Sequence, residues 1–409
     1  MARRGVDYLL IGGGLAAANC ARWLREEGAD GSVLLAGREP DPPYNRPPLS
    51  KGYLQGREPR KEVLFRPDAW WEEQRIELMT RTSVMGLDVG ERVATLSTKD
   101  EVEFGRALIA TGANVRRLRV DGCDLDGIHY LRAFANSDAI RAEGERAERM
   151  VLIGGSYIST EVAASLTAAH GVKCSIVMLE DVTLEHFFGP EVGGFFQRVL
   201  VDHGVEVHGG QELDRFEGSD GRVRKVVTKD GLELDCDAVV IGAGVVPEVT
   251  LARSAGLELG EAGGVKCSAG LETSASGVFA AGDICEYDSP LHGRPMRIEH
   301  WDVAFNQGKT AALNMLDRGV AHEVVPYFFS DLADWASMEY VGPGSGEVVV
   351  RGSLDDGEFT AFYLDEGRVT AALSVGRSDD LEHARRFVTE RSRPDRDALP
   401  DLSTNLAAL

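Results

Sequence analysis

The sequence has no closely spaced cysteines and no long apolar run. Each of its six cysteines is separated from the next by more than five residues, so neither a CxxC zinc site nor a redox-active cysteine pair is indicated. Scattered thiols fit a reducing compartment and predict a cytoplasmic protein without a metal site. No stretch approaches the roughly 18 apolar residues of a membrane-spanning helix. Arg3 and Arg4 before an apolar stretch imitate a signal peptide, but the glycines in that stretch favour another interpretation.

Positive charge is scarce as well. Lysine and arginine total 44 against 66 aspartates and glutamates, which gives a net charge of −22. Nucleic acids and anionic membrane surfaces both require a positive face, so neither is expected as a partner. Glycine, by contrast, accounts for 47 of the 409 residues without low-complexity runs. This surplus indicates tight turns and backbone that approaches ligands closely, and the length predicts two or three domains.

The first glycine-rich turn follows a short apolar run at residues 7–11. The turn is Gly12-Gly13-Gly14-Leu15-Ala16-Ala17, and a helical pattern and a second apolar run at 32–36 come after it. Strand, glycine turn, helix and strand in this order form the dinucleotide-binding βαβ unit, here as GxGxxA. Gly12 makes the turn, Gly14 lets backbone amides approach a pyrophosphate, and a small Ala17 lets the helix pack on the strand.

The same plan recurs 142 residues later. A strand at 150–153 leads into Gly154-Gly155-Ser156-Tyr157-Ile158-Ser159, then a helix at 161–169 and a strand at 175–179 that ends at Glu180. One such turn is weak evidence, but two complete units indicate two bound dinucleotides, usually one flavin and one nicotinamide.

The rest of the chain is predicted to form mainly sheet and two further helices, the first of them at about residues 304–315. Alternating residues at 84–96 and 207–234 predict antiparallel ribbons that lead to buried strands at 107–109 and 238–241. Residues 348–353, 358–364 and 368–375 predict a meander, followed by a helix at 380–390 and a polar tail that we expect to be mobile.

Four motifs resemble one flavoprotein family. They are Pro43-Tyr44-Asn45-Arg46-Pro47-Pro48-Leu49-Ser50-Lys51, Ala110-Thr111-Gly112, Gly282-Asp283 and Arg297-Ile298-Glu299-His300-Trp301. The sequence resembles, over nearly its whole length, the family of dioxygenase ferredoxin reductases, putidaredoxin and rubredoxin reductases, and apoptosis-inducing factor.

The resemblance implies an α/β fold with two Rossmann-like dinucleotide-binding domains, as in glutathione reductase, and a C-terminal α+β interface domain. We expect a discontinuous FAD-binding domain at 1–112 and 240–319, an inserted NAD-binding domain at 113–239, and the C-terminal domain at 320–409.

The resemblance also implies site residues. For FAD these are Gly12, Gly13, Gly14, Ala17, Arg38, Glu39, Arg46, Lys51, Ala110, Thr111, Gly112, Asp283, His300 and Trp301. For NAD they are Gly154, Gly155, Ser156, Tyr157, Ile158, Glu161, Glu180 and Gly242. The implied catalytic residues are Lys51, Glu161 and Trp301: Lys51 and Glu161 as an ion pair beside flavin N5, and Trp301 near the pyrimidine edge. Asp283 would accept hydrogen bonds from the ribityl chain, and Glu180 would accept from the adenosine ribose of NADH.

Three departures qualify the pattern. Arg38 stands where an acid that binds ribose is expected, and Glu39 is its candidate substitute. Ser156 and Ser159 replace glycines, so they either crowd the dinucleotide or donate to its phosphates. No cysteine lies between residues 37 and 51, which excludes the disulfide-reductase and peroxidase chemistry of relatives.

The resulting functional hypothesis is an NADH-dependent FAD oxidoreductase. It would pass electrons from NADH through flavin to ferredoxin or a similar small iron–sulfur carrier. The negative net charge opposes an acidic ferredoxin, so a local basic patch is required. One alternative is an enzyme like apoptosis-inducing factor that reduces quinones or other small acceptors. The other is a redox sensor that dimerises when its flavin is reduced; the sequence leaves open whether the protein is a homodimer.

Overall fold

The structure, a computed structural model, describes residues 3–409. Residues 1 and 2, at the start of the predicted FAD-binding segment, lie outside the described part. The chain divides into two units. The first unit contains the chain up to Asn45, Arg60–Asn114 and Val246–Pro326; the second contains Arg46–Pro59, Val115–Val245 and Tyr327–Leu409. The first unit takes up most of the predicted FAD-binding segments, and the division into three domains stays a prediction.

Helices and strands are distributed over the whole of residues 3–409. The α-helices are α1 (Leu15–Glu26), α2 (Arg60–Val63), α3 (Asp68–Glu73), α4 (Phe134–Gly144), α5 (Tyr157–His170), α6 (Glu185–Asp202, with a break at Gly189), α7 (Thr250–Ser254), α8 (Trp301–Met315) and α9 (Ser378–Glu390). Short 3-10 helices span Pro47–Ser50 and Leu406–Ala408. The strands are β1 (Arg3–Ile11), β2 (Val33–Ala36), β3 (Ile76–Met79), β4 (Val84–Asp88), β5 (Val93–Leu96), β6 (Glu101–Ile109), β7 (Ala113–Val115), β8 (Ile128–Tyr130), β9 (Arg149–Ile153), β10 (Lys173–Val177), β11 (Glu206–His208), β12 (Leu213–Ser219), β13 (Arg222–Thr228), β14 (Glu233–Asp235), β15 (Ala238–Ile241), β16 (Val245–Pro247), β17 (Val265–Cys267), β18 (Val278–Ala280), β19 (Cys285–Ser289), β20 (Arg294–Met296), β21 (Tyr327–Leu332), β22 (Ala336–Val341), β23 (Glu347–Ser353), β24 (Glu358–Asp365) and β25 (Arg368–Val375).

The first unit is built on a sheet in the order β3-β2-β1-β6-β5-β4, with β18 also paired to β6. Strands β3, β2, β1, β6 and β18 run parallel, whereas β5 and β4 form the antiparallel ribbon that alternation predicts. Ile11 pairs with Ala36 and Ile109, and Ala280 also pairs with Ile109. Four strands therefore end at the same level, and the residues after them meet at one edge.

The second unit contains a parallel sheet in the order β11-β10-β9-β15-β8. Ile153 pairs with Val177 and with Ile241, so these three strands also end together. An antiparallel ribbon of β12, β13 and β14 belongs to the same unit. Both predicted βαβ units and the predicted α/β fold class are confirmed.

The C-terminal part of the second unit is an antiparallel sheet in the order β21-β22-β25-β24-β23, followed by α9. The predicted meander corresponds to β23, β24 and β25. Strands β21 and β22 were not predicted, because their aromatic and acidic residues do not alternate cleanly. Helix α8 begins at Trp301, three residues before the predicted start at 304. No helix within residues 3–409 is long and apolar enough to cross a membrane.

The C-terminal tail has fixed partners within this unit. Leu399 and Leu406 are buried. The buried guanidinium of Arg351 donates to the carbonyls of Leu399, Asp401 and Thr404. Because one cation holds three carbonyls, the tail is tied to β23 rather than left unattached. Its predicted mobility stays a prediction.

Helices α1 and α8 approach each other closely in the first unit. A Cβ added to Gly308 would lie 2.4 Å from the carbonyl oxygen of Ala16, far inside van der Waals contact. Gly194 in α6 offers a contrast, since no heavy atom lies within 4 Å of its added Cβ. Packing therefore excludes a side chain at Gly308 but leaves space for one at Gly194.

We expect Gly308→Ala to destabilise the protein by about 1–3 kcal/mol, because α8 must move away from α1. Gly194→Ala is the matched control and should stabilise by about 0.5–1 kcal/mol, since alanine loses less backbone entropy in a helix. Urea unfolding of both variants, each loaded with FAD, measures the difference. Equal effects of the two substitutions would contradict the proposed close approach.

Candidate functional site

The FAD motifs of the first unit meet at the carboxyl edge of its parallel sheet. Gly12 follows β1, Arg38 follows β2, Ala110 follows β6 and Asp283 follows β18. Because β1, β2, β6 and β18 end in register, the four motifs lie at one edge although the sequence separates them widely. Open α/β sheets bind dinucleotides at this edge.

The first glycine turn has the shape that a pyrophosphate requires. Gly12 has a φ of +127°, and a Cβ added to it would lie 2.1 Å from the carbonyl oxygen of Ala110. Gly14 caps the N-terminus of α1, and no heavy atom lies within 4 Å of its added Cβ. Ala17 is fully buried beneath the turn. Tight packing behind the turn and open space in front of it fit a phosphate at a helix N-terminus.

A buried amide without a partner supports the same assignment. Gln307 of α8 is fully buried, and its Oε1 accepts a hydrogen bond from the backbone N–H of Gly282 at 2.8 Å. Its Nε2 has no hydrogen-bond partner within the described chain. An unsatisfied buried donor is costly, and this one is anchored to the residue that precedes Asp283. A polar ligand at this edge would satisfy it.

The two C-terminal FAD motifs are joined by Arg297. Its Nη1 donates to the backbone carbonyl of Asp283 at 3.0 Å and contacts the carboxylate of Glu299. Its Nε donates to the carbonyl of Ala262 at 3.0 Å. Arg297 thus fixes the backbone that presents the Asp283 side chain.

His300 and Trp301 begin helix α8. His300 is the N-cap residue, and desolvation lowers its pKa to about 4 against an opposing attraction from Asp283. The imidazole is therefore neutral near pH 7. The indole Nε1 of Trp301 donates to Oδ1 of Asn45 at 3.0 Å, and the ring stacks on Phe305 with centroids 5.3 Å apart. These contacts fix the ring at the helix N-terminus.

Arg38 and Glu39 point to different partners. Arg38 is exposed and donates to Oδ1 of Asn114 at 2.6 Å. Glu39 accepts a hydrogen bond from the hydroxyl of Tyr44 at 2.5 Å. Nearby, the Thr111 hydroxyl donates to the carbonyl of Glu248 at 2.7 Å, which ties the Ala110-Thr111-Gly112 turn to the following segment. Glu39 keeps acceptor capacity for a ribose hydroxyl, whereas Arg38 has none.

Arg46 and Lys51 belong to the second unit. Arg46 donates to the backbone carbonyl of Arg132. The ammonium of Lys51 lies 2.7 Å from Oε1 of Glu161, and both side chains are largely buried. The structure therefore contains the ion pair that the family pattern implies, and its role toward a flavin stays a prediction.

The second glycine turn repeats the geometry of the first. Gly154 has a φ of +107°, and its added Cβ would lie 2.6 Å from the carbonyl oxygen of Gly242. A Cβ on Gly155 would lie 2.5 Å from the sulfur of Met178 and 3.4 Å from Oε2 of Glu180. The carboxylate of Glu180 therefore borders the turn, where it can accept from a ribose hydroxyl.

The two serines of this turn occupy different surroundings. Ser159 is fully buried, and its hydroxyl donates to the carbonyl of Ile153 at 3.1 Å. Ser156 caps α5, is partly exposed, and places its hydroxyl 3.4 Å from the carbonyl of Gly242. Ser159 thus lies in the contact between α5 and β9, away from any nucleotide. The two alternatives, crowding of the dinucleotide and donation to its phosphates, therefore apply to Ser156.

Tyr157 begins α5 inside an aromatic cluster. Its ring centroid lies 4.6 Å from that of Phe187 and 4.5 Å from that of Phe328. Burial raises the pKa of Tyr157 well above its usual range, so its phenol is uncharged at any physiological pH. The next residue, Ile158, is partly exposed in the first turn of α5.

We expect Gly242→Ala to destabilise the second unit by about 1–3 kcal/mol, because the new Cβ would lie 2.4 Å from Oγ of Ser159. Ser159→Gly removes that atom, so the same change should cost much less in the Ser159→Gly background. Urea unfolding of the four proteins in this double-mutant cycle measures the coupling. Additive changes in the free energy of unfolding would show that residues 159 and 242 are not in steric contact.

The structure therefore groups the predicted residues into two edge sites and one ion pair. Sequence reasoning assigned no role to Gln307, Ser50 or Ser330. Ser50, Arg297 and Asn45 stand inside the quoted motifs, so only their contacts were missing. Neither Gln307 nor Ser330 carries a sequence signal, because each acts through a contact with a residue that is distant in the chain.

Comparisons with known proteins agree with this geometry. Residues 6–308 match the family described as pyridine nucleotide-disulphide oxidoreductase, and residues 327–409 match the reductase C-terminal family. The chain is 34% identical over 407 residues to the 5,5'-dehydrodivanillate O-demethylase ferredoxin reductase subunit of Sphingobium sp., with 98% of each chain covered.

Two solved structures are also similar over nearly the whole chain. The ferredoxin reductase for the CYP199A2 system of Rhodopseudomonas palustris has a TM-score of 0.94 at 30% identity, covering 98% of this chain and 99% of that one. Putidaredoxin reductase in its covalent complex with putidaredoxin has a TM-score of 0.93 at 30% identity, covering 98% and 97%. On this evidence the chain belongs to the FAD- and NAD-dependent ferredoxin reductase family of pyridine nucleotide-disulphide oxidoreductases.

Proposed function

We propose that this protein is an NADH-dependent FAD oxidoreductase that delivers electrons to a small iron–sulfur protein. The observation that carries the proposal is full-length similarity to ferredoxin reductases, combined with two glycine turns built to the same geometry. Bound FAD would accept a hydride from NADH and release its electrons singly, a chemistry that belongs to the cofactor. A cytoplasmic location is part of the proposal, because the six cysteines are free thiols.

The residues of the chain would bind, orient and shield the cofactors. The N-terminus of α1 and the glycines at 12–14 would bind the FAD pyrophosphate. Asp283, whose backbone is held by Arg297, would accept hydrogen bonds from ribityl hydroxyls. The N-terminus of α8 would place partial positive charge near the reduced ring. The second glycine turn and Glu180 would bind NADH.

The proposed acceptor requires a local basic patch because the net charge is −22. The sequence contains three basic clusters: the first is Arg57, Arg60 and Lys61, the second is Arg385 and Arg386, and the third is Arg116, Arg117 and Arg119. In two of them an arginine is already paired: Arg60 with Asp41 and Arg386 with Glu390. In the third, Arg116, Arg117 and Arg119 are exposed, and none forms an ion pair with a carboxylate within residues 3–409. The Arg117 guanidinium lies 5.2 Å from the Tyr130 ring centroid.

Steady-state rates with three acceptors test the proposal. We expect NADH oxidation to be fastest with a ferredoxin coupled to cytochrome c, and slower with a quinone or oxygen. Faster turnover with the quinone would favour an enzyme that reduces small acceptors. Slow turnover with every acceptor, together with dimerisation on reduction, would favour the redox sensor.

We expect NADH to be preferred over NADPH by at least about tenfold in kcat/KM, roughly 1.4 kcal/mol, because Glu180 would repel a 2′-phosphate. Glu180→Gln should reduce this preference by lowering the penalty on NADPH. Asp181→Asn is the matched control, since it removes the same charge from the exposed neighbouring residue. Equal use of the two nucleotides by the unaltered protein would refute the role of Glu180.

Reversing Arg116, Arg117 and Arg119 to glutamate should lower ferredoxin-coupled cytochrome c reduction at low salt. The reason is that these arginines would dominate the local field within a Debye length of about 8–10 Å. Ferricyanide reduction should be retained, because it needs no protein docking. The control reverses Lys173, Lys225 and Lys229, which are paired with Glu148, Glu233 and Glu212. If both triple variants lose the same activity, net charge rather than this patch controls the encounter.

A further inference from the structure

The Glu161 carboxylate receives three side-chain donors in the second unit. Lys51 Nζ lies 2.7 Å from Oε1, the Ser330 hydroxyl donates to the same oxygen at 2.5 Å, and the Ser50 hydroxyl donates to Oε2. Glu161 is only 3% exposed. A carboxylate buried to this degree is stable only when charge and hydrogen bonds compensate it, so both serines contribute to holding the pair.

The segment that carries Lys51 is fixed from two helices. Ser165 of α5 donates to the carbonyl of Ser50 at 2.7 Å, and Ser137 of α4 donates to the carbonyl of Leu49 at 2.7 Å. The backbone before Lys51 therefore has little freedom. The direction of the long lysine side chain depends on its partner, Glu161, and hence on what holds that carboxylate.

Three consecutive residues of β21 contact this region. The Phe328 ring lies 4.5 Å from the Tyr157 ring, the Phe329 centroid lies 5.8 Å from Lys51 Nζ, and Ser330 binds Glu161. Tyr157 and Glu161 are one turn apart on α5, and Phe328 and Ser330 share a face of β21. Strand β21 therefore contacts helix α5 at two successive points, Phe328 with Tyr157 and Ser330 with Glu161.

We propose that Ser330 is a positioning residue for Lys51, with Ser50 in support. Its hydroxyl fixes the Glu161 carboxylate, which in turn fixes the lysine ammonium, so that the C-terminal strand β21 determines where this charge lies. The inference rests on the proposed function, because it takes Lys51 to act on a bound flavin. A purely structural serine would stabilise the unit without acting through Lys51.

A double-mutant cycle on the FAD-loaded protein tests this inference. Ser330→Ala and Lys51→Ala are made singly and together. The measurements are the flavin midpoint potential, the rate constant of flavin reduction at saturating NADH, and the Kd of NADH. Ser330→Ala should lower the rate constant by roughly threefold to tenfold, the scale of the net contribution of one hydrogen bond. It should also lower the potential, because a displaced cation stabilises reduced flavin less, and leave the Kd of NADH unchanged.

The effect of Ser330→Ala on rate and potential should disappear when Lys51 is already alanine. Ser50→Ala should act in the same direction as Ser330→Ala. The matched control is Ser374→Ala in the same sheet, since Ser374 is also buried but its hydroxyl accepts from the N–H of Arg377 at 3.2 Å; it should leave potential and rate unchanged. Additive effects of Ser330→Ala and Lys51→Ala, or an unaltered potential in Ser330→Ala, would overturn the positioning role of Ser330 but not the proposed function. A Lys51→Ala protein with unaltered potential and rate would overturn the proposed role of Lys51 itself.

Discussion

A close approach between a glycine and the carbonyl of a neighbouring strand end organises both dinucleotide sites. Gly12 donates its N–H to Ala36 and presses against the carbonyl of Ala110; Gly154 donates to Val177 and presses against that of Gly242. Both donor–acceptor distances are 2.8 Å. No side chain fits at either glycine, so the chain turns sharply and a helix starts with its amides directed away from the sheet. A phosphate at either helix N-terminus would depend on this turn.

The two sites then differ in what surrounds the same turn. In the first site, the edge of the sheet is held by polar contacts. Gln307 of α8 binds the backbone of Gly282, and Arg297, just before α8, binds the backbone of Asp283. In the second, the support is aromatic and acidic, from Tyr157 and Glu180. This difference suits a flavin that stays bound and a nicotinamide that must leave after each turnover. A resident cofactor benefits from buried polar contacts, whereas a substrate needs an accessible edge.

The sequence was sufficient for the βαβ units because glycine spacing and apolar strands are local signals. It also placed the ribbon at β4 and β5 and the meander at β23 to β25, where residues alternate over whole strands. It failed at β21, since the run Tyr327-Phe328-Phe329-Ser330 is apolar on both faces and shows no period of two. It also had no means to find Gln307 or Ser330 as site residues, because their importance lies in contacts with residues 25 and 169 positions away.

The contacts of Ser159 explain how a serine is accommodated at the third glycine position of the second turn. A serine at the third glycine position should keep the helix away from the strand, yet its hydroxyl donates to the carbonyl of Ile153 inside that contact. The space it needs comes from Gly242, whose missing side chain leaves room for Oγ. The contact between helix and strand thus tolerates serine at position 159 because residue 242, at the end of the neighbouring strand, is glycine. Because the helix keeps its closeness to the sheet, its N-terminus keeps the orientation that binds a phosphate. Of the two serines, only Ser156 at the start of the helix would meet the nucleotide.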